Sequence, residues 1–240
     1  MRNKHHGFLH PAAAFLLLTG LVAFFSWVGS TYGWEGVQSL LSPEGIRWRL
    51  RTLQSDYLAS PFLGPVLLLG FGVGLCLHSG WWAQVRSLLL RQKRLSRKER
   101  RALTASVIVA GIYAALLVFL AVGPWSGMRT ITGTLSHSPL ADGLFPLLSL
   151  GIGNMAVVYA YVADYYNSER DIVRGMAYGF VRFSTYFVTL FFVVLFFTSF
   201  RYSGLASCLG LSDKGVDVLY VCCSLLLLYD DSTSSSGPSA

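Results

Sequence analysis

Charged residues are scarce in this 240-residue sequence, and five long stretches contain none. Only 13% of the residues are Asp, Glu, Lys or Arg, about half the share in typical soluble domains. The stretches without a charge cover 11–34, 57–85, 102–128, 143–163 and 183–200. A helix needs about 20 apolar residues to cross the hydrocarbon core of a bilayer. The scarcity of charge excludes a soluble domain of any size and predicts an all-α, polytopic helical membrane protein.

Motifs of hydrolytic and metal-dependent chemistry are also missing. The sequence has no His-Glu-x-x-His, no Gly-x-Ser-x-Gly and no Walker A loop. Four cysteines show neither metal-binding nor redox spacing, which favours roles in packing: Cys76, Cys208, Cys222 and Cys223. A metal cluster of His5, His6 and His10 is not favoured, because no carboxylate lies near them in the N-terminal tail. We therefore predict no enzyme activity, no metal and no cofactor.

Proline and aromatic residues mark the ends of five predicted transmembrane helices. Prolines near helix starts cost little, because the first N–H groups have no partner within the helix. Trp and Tyr prefer the headgroup level, and they follow four of the spans. The predicted spans are about 11–33, 61–80, 103–124, 143–164 and 180–200, in a single membrane domain over 1–229. A partial sixth hydrophobic segment covers 216–229, and 230–240 is predicted to be a disordered polar tail.

Lys and Arg are concentrated in segments that we assign to the cytoplasm. Short loops rich in Lys and Arg stay on the cytoplasmic side. The segment between spans two and three holds Arg86, Arg91, Lys93, Arg94, Arg97, Lys98, Arg100 and Arg101. Arg2 and Lys4, before the first span, fall on the same side. We predict a multi-pass protein of the bacterial inner membrane with a cytoplasmic N-terminus, in which the basic loop meets anionic lipid rather than nucleic acid.

The start of the chain has two interpretations. Arg2 and Lys4 before an apolar run are typical of a secretory signal peptide. The run from Ala12 is long, however, and no Ala-x-Ala cleavage site follows it. A retained first transmembrane helix is therefore favoured.

Two segments with helical periodicity predict short interfacial helices. Ser42 is placed as an N-cap, with Pro43 at the first helical position. Apolar residues then recur at i, i+4 and i+7: Ile46, Leu50 and Leu53. The second segment, 167–174, places charged residues beside apolar ones at helical spacing. Such helices lie in the plane of the membrane surface.

Glycines recur at a spacing of four in three pairs: Gly29 and Gly33, Gly70 and Gly74, Gly175 and Gly179. Pairs of this kind let helix backbones approach closely, either within one chain or in a dimer seam. Packing within the chain is the simpler interpretation for each pair taken alone. For the protein as a whole we predict a homodimer.

Few polar residues lie within the spans, and three of them are candidates for substrate binding. Asn154 is in the middle of span four, His78 is at the end of span two, and Arg182 is at the cytoplasmic edge of span five. Ionisable groups within the membrane are functional candidates by default. An interhelical hydrogen bond is the simpler role for Asn154. We expect no charged group deep in a span, and no buried carboxylate that could take up a proton.

The run Leu-Ser-Pro-Glu-Gly-Ile-Arg-Trp at 41–48 is the most specific of several sequence blocks that resemble the AbgT family of p-aminobenzoyl-glutamate transporters. Further blocks follow in the family's order: 10–11, 60–64, 72–74, 133–135, 138–140, 168–173, 191–192 and 202–205. The sequence departs from the family at Leu195 and Gly204, where members usually have Gln and Asn. Two family blocks have no counterpart, one after Gly80 and one after Leu211.

The resemblance implies a membrane transporter that moves p-aminobenzoyl-glutamate, or exports related folate-pathway compounds, by proton coupling. The substrate would be a small anionic aromatic molecule, bound in a homodimer within the lipid bilayer. The family's substrate and proton-coupling residues belong to the blocks without a counterpart, so the resemblance assigns none of them here. A carrier that is incomplete by itself is therefore expected. The alternative is a truncated AbgT-like scaffold or interaction protein without transport activity.

Overall fold

A computed structural model describes residues 10–90, 96–122, 141 and 143–234, and this part of the chain is helical without a strand. The helices are α1 (Pro11–Thr31), α2 (Pro43–Leu58), α3 (Leu63–His78), α4 (Trp81–Leu89), α5 (Arg97–Val122), α6 (Leu144–Val162), α7 (Glu169–Arg182), α8 (Ser184–Tyr202), α9 (Leu205–Cys208) and α10 (Asp213–Ser234). The all-α class is confirmed. His5, His6, the basic residues at 91–94 and the blocks at 133–135 and 138–140 lie outside the described residues.

Five helical segments in the described part are long and apolar enough to cross a membrane, as predicted. They are Pro11–Thr31, Pro43–His78, Arg97–Ala121, Leu144–Val162 and Ser184–Tyr202, the second combining α2 and α3. In the third segment, Arg97–Ala121, only 11% of the most apolar 18-residue stretch is buried. Ile112 on its surface is 65% exposed. Contiguous apolar surface of this kind is stable in lipid rather than in water.

The chain divides into two compact units. Unit one comprises 1–64 and 184–240, and unit two comprises 65–183. The boundary between residues 183 and 184 lies inside the predicted span 180–200. The structure divides that span between the end of α7 and most of α8. α7 ends at Arg182, Phe183 is its C-cap, and α8 begins at Ser184. Ser184 and Thr185 favour a helix start over a helix interior, which is consistent with a break at this point.

In unit one, α1, α2 and α10 pack against α8. Val193 and Phe197 of α8 lie in one buried cluster with Val216 of α10. The Trp48 ring of α2 stacks on Tyr202, with 4.0 Å between the ring centroids. α2 begins as the sequence predicts: Ser42 Oγ accepts a hydrogen bond from the Gly45 N–H at 3.0 Å, and Pro43 is the first helical residue.

In unit two, the glycine pairs of α3 and α7 pack against each other. A Cβ on Gly179 would lie 1.9 Å from the Gly70 carbonyl oxygen, and a Cβ on Gly74 would lie 2.5 Å from the Gly179 nitrogen. The two helices run antiparallel, since Gly70 meets Gly179 while Gly175 meets Leu75. Internal packing is thereby confirmed for two of the three pairs.

The last helix, α10, is longer than the sequence pattern indicated. It covers Asp213–Ser234 and so extends into 230–234, where the disordered tail was predicted to begin. The first strong helix breaker after the apolar run is Gly237, which explains why the helix can continue. α10 runs antiparallel to α8, because Arg201 pairs with Asp217 while the Phe197 ring contacts Tyr220. Residues 235–240 lie outside the described part.

Candidate functional site

Asn154 lines a cavity of about 400 Å³ in unit two, between α3, α6 and α7. Its walls are mostly apolar and include Phe71, Leu75 and Met176. The Ser149 hydroxyl also lines the cavity, but it already accepts a hydrogen bond from the Gly72 N–H at 3.0 Å. The Asn154 amide is therefore the main polar group offered to a ligand in this cavity.

His78 lies at the end of α3 and contacts aromatic residues. Its Nδ1 is 2.9 Å from the Tyr166 hydroxyl, and its ring centroid is 5.8 Å from that of Tyr178. Burial, with a smaller contribution from Asp171, raises the pKa of Tyr166 to about 12. Tyr166 therefore keeps its proton at neutral pH and can donate it to the His78 ring in a hydrogen bond.

The three residues predicted from the sequence do not share one cavity. His78 and Arg182 are not among the residues that line the Asn154 cavity. Arg182 is the last residue of α7, where its positive charge interacts favourably with the helix dipole. Of the three, Asn154 is the residue that lines this cavity.

A second and more polar cavity, of about 440 Å³, lies in unit one among α2, α8 and α10. We call it the polar cavity. Its polar lining comes from Asp56, Ser60, Thr198, Arg201, Asp217 and Tyr220. The Ser60 and Tyr220 hydroxyls are 2.7 Å apart, and Arg201 forms an ion pair with Asp217. The sequence interpretation did not identify this cavity.

Arg49 of α2 contacts the C-terminal half of α8, beside the polar cavity. Its Nη1 donates to Thr198 Oγ1 and its Nη2 to the Leu195 carbonyl oxygen, both at 2.7 Å. Asp56 Oδ2 is 3.8 Å from Nη1, which is an ion pair rather than a hydrogen bond. That oxygen is buried and, within the described part of the chain, has no hydrogen-bond partner. Arg49 and Asp56 belong to α2, outside the five spans predicted from the sequence, so the expectation of no charged group deep in a span stays a prediction.

A sequence signal for this arrangement existed. Arg49, Thr52 and Asp56 recur at i, i+3 and i+7, so they form one polar stripe along α2. The apolar residues Ile46 and Leu50 are 49% and 75% exposed on the same helix. Polar residues that face protein while apolar ones face outward are the reverse of a soluble amphipathic helix. The interfacial interpretation used the apolar stripe alone and left the polar stripe unexplained.

Comparison with known proteins identifies the family. The sequence profile of the AbgT transporter family matches residues 85–222. This chain belongs to the AbgT family. The crystal structure of the Alcanivorax borkumensis YdaH transporter has the same fold, with a TM-score of 0.74 and 15% sequence identity. The match covers 84% of this chain and 72% of that chain. No protein of curated function matches the sequence.

The residue range that matches the AbgT family contains lining residues of both cavities. Asn154 and the α8 and α10 walls of the polar cavity fall within residues 85–222. Arg49 and Asp56 precede the matched range. AbgT membership makes the chain a multi-pass membrane transporter by family, which agrees with its five apolar segments.

Proposed function

We propose that this chain is a proton-coupled carrier of p-aminobenzoyl-glutamate or a related folate-pathway compound, and that the polar cavity of unit one binds the solute. The observation that carries the proposal is the set of ionisable side chains beside α8, which is itself long and apolar enough to span the membrane. Charged groups at membrane depth are costly, so they are typical of substrate and ion pathways.

The lining of the polar cavity supports a small anionic aromatic solute. Arg201 offers a guanidinium group to a carboxylate, and its side chain is 44% exposed. Phe197 and Tyr220 offer ring surfaces with their centroids 5.4 Å apart. Asp56 and Asp217 are the carboxyl groups that line the cavity and could exchange a proton. The cavity volume of about 440 Å³ lies in the range of small-molecule sites.

Equilibrium binding tests the proposal. We expect p-aminobenzoyl-glutamate to bind the purified chain in lipid nanodiscs, and Arg201→Gln to weaken binding about tenfold or more. A hydrogen bond to a charged group contributes about 1.5–3 kcal/mol, and 1.4 kcal/mol corresponds to a factor of ten. The matched control is Arg47→Gln, an exposed arginine of α2 outside the cavity. Equal affinity of the wild type and Arg201→Gln would contradict the assignment.

A membrane scaffold without transport is the second candidate function. It is favoured by one observation: Asn154, His78 and Arg182 do not line one cavity. Flux measurements in proteoliposomes separate the two functions. A carrier gives saturable uptake that responds to a proton gradient, whereas a scaffold gives neither uptake nor solute binding.

We propose further that the protein is a homodimer of the bacterial inner membrane. The glycine pairs of α3 and α7 are used within the chain, so a dimer seam has to use another face. Crosslinking in mild detergent should give a dimer across a range of protein concentrations. A monomer throughout that range would contradict the proposal.

A further inference from the structure

One face of α5 carries arginines at its start and apolar residues further along. Arg97, Arg100 and Arg101 line a surface groove of about 460 Å³ together with Thr104, Ala105 and Ile108. These six positions are spaced by three and one residues in alternation, so they form one continuous helix face. The groove therefore leads from cationic to apolar surface along a single helix.

The arginines of this groove are not neutralised by neighbouring carboxylates. Glu99 accepts hydrogen bonds from the Gln84 side chain at 2.9 Å and the Ser96 N–H at 2.8 Å. Asp164 forms an ion pair with Lys98. Among the described residues, no ion pair includes Arg97, Arg100 or Arg101. Three exposed guanidinium groups thus remain available to an external anion.

The apolar end of the groove continues onto exposed apolar surface of α5. Ile108 is 56% exposed, and Ile112, one turn further along α5, is 65% exposed. A free anion would use only the arginine end, whereas an amphiphile with an acyl chain would cover both ends. We propose that this groove binds the headgroup of an anionic phospholipid, with its acyl chain along Ile108 and Ile112.

The chemistry of the arginines suits a phosphodiester. Guanidinium groups present planar pairs of N–H donors that match phosphate oxygens. Basic pockets beside transmembrane helices on the cytoplasmic side are typical sites for anionic headgroups. Further basic residues precede the groove in the sequence: Arg91, Lys93 and Arg94. The groove would also hold α5 at a fixed depth, because the headgroup and the acyl chain are contacted at once.

Lipid titration of the purified full-length chain tests the proposal. The probes are phosphatidylglycerol, phosphatidylcholine and inorganic phosphate, and native mass spectrometry measures bound lipid. We expect phosphatidylglycerol to bind in preference to phosphatidylcholine, and Arg100→Gln/Arg101→Gln to weaken phosphatidylglycerol binding about tenfold. The matched control is Arg47→Gln/Arg51→Gln, which removes two exposed arginines from α2 and should leave binding unchanged.

Two further variants keep the outcome interpretable. Arg100→Lys/Arg101→Lys preserves the charge, so it should retain most of the binding if the Gln variant fails to fold. Ile108→Ser/Ile112→Ser should weaken phosphatidylglycerol binding while leaving phosphate binding unchanged. Three results would overturn the proposal: unchanged binding in Arg100→Gln/Arg101→Gln, equal loss in the α2 control, or displacement of the lipid by inorganic phosphate at similar concentrations.

Discussion

Single residues matter most in this protein where two backbones touch. Gly179 is the clearest case, because a Cβ there would lie 1.9 Å from the Gly70 carbonyl oxygen, an atom that cannot swing aside. Gly204 shows a similar constraint in unit one: its φ is +72°, and a Cβ would lie 2.0 Å from the Gly36 carbonyl oxygen. At both positions only glycine fits, because a Cβ would collide with a backbone carbonyl oxygen. At Gly204 the positive φ also favours glycine.

We expect Gly179→Ala to destabilise unit two by about 1–3 kcal/mol, the usual cost of an extra methyl group in a packed core. Thermal unfolding of the detergent-purified protein should show a lower Tm. The control is Gly111→Ala in α5, where a Cβ would meet no atom within 4 Å. That change should leave the Tm unchanged or slightly higher, since alanine favours a helix. An equal loss in both variants would contradict the packing explanation.

Asp171 should make the start of α7 sensitive to acid. Its carboxylate accepts hydrogen bonds from the Asn167 and Ser168 N–H groups, each at 3.1 Å. These bonds, the Asn167 one first, lower the pKa of Asp171 below its ordinary value of 3.8. A lowered pKa means that the stabilisation is present above the unfolded-state value and is lost as pH falls through the folded value.

The wild-type Tm should therefore fall in acid below pH 3.8, and Asp171→Asn should remove part of that fall. The asparagine oxygen still accepts a hydrogen bond, but it does not titrate. Thermal unfolding across a pH series provides the measurement. Identical pH profiles for the two proteins would show that Asp171 does not contribute.

At the scale of elements, α2 depends on its polar stripe to hold α8. The two hydrogen bonds from Arg49 reach Thr198 and Leu195, and the Arg49 side chain is only 17% exposed. The Leu195 carbonyl oxygen also accepts a hydrogen bond from the Ser199 hydroxyl at 2.6 Å. Arg49 thus joins α2 to α8 through one side-chain and one backbone hydrogen bond.

Arg49→Gln should destabilise the contact of α2 with α8 by about 1.5–3 kcal/mol, since hydrogen bonds from a charged group are lost. The variant also leaves Asp56 without its counter-ion. Arg49→Gln/Asp56→Asn should therefore be more stable than Arg49→Gln alone. Arg51→Gln, at an exposed position of the same helix, is the control and should behave as the wild type. Thermal unfolding of all four proteins compares them; a wild-type Tm for Arg49→Gln would disprove this role.

At the scale of the whole molecule, the orientation in the membrane follows from the distribution of Lys and Arg. The segment from Arg86 to Arg101 is far richer in basic residues than the segment after α1. Positive charge resists transfer across the membrane, so we predict a cytoplasmic N-terminus and a cytoplasmic 86–101 segment. This prediction also places the α5 groove at the cytoplasmic leaflet, where anionic lipid is available.

Cysteine labelling tests the orientation in a background without Cys76, Cys208, Cys222 and Cys223. Ser96→Cys should not react with an impermeant thiol reagent in intact cells, and it should react after the cells are opened. Glu35→Cys, in the loop between α1 and α2, is the opposite-side control and should react in intact cells. Labelling of Ser96→Cys from outside would reverse the predicted topology.

The family, the helical class and the five apolar segments could be predicted from the sequence. Each depends on local information: a run of residues without charge, a cap such as Ser42 before Pro43, or a specific run such as 41–48. Helix length and the cost of exposing backbone groups to lipid then leave only one class of structure.

Only the tertiary structure decided which residues meet. Arg49 and Leu195 are 146 positions apart, and Gly70 and Gly179 come from different helices. Lipid is as apolar as leucine, so hydrophobicity alone does not choose which helix faces pair. Close glycine contacts and interhelical hydrogen bonds make that choice, and both depend on the packing of helices that are distant in sequence. For this reason the sequence pattern could show the polar stripe of α2 but not its partners on α8, which only the structure identified.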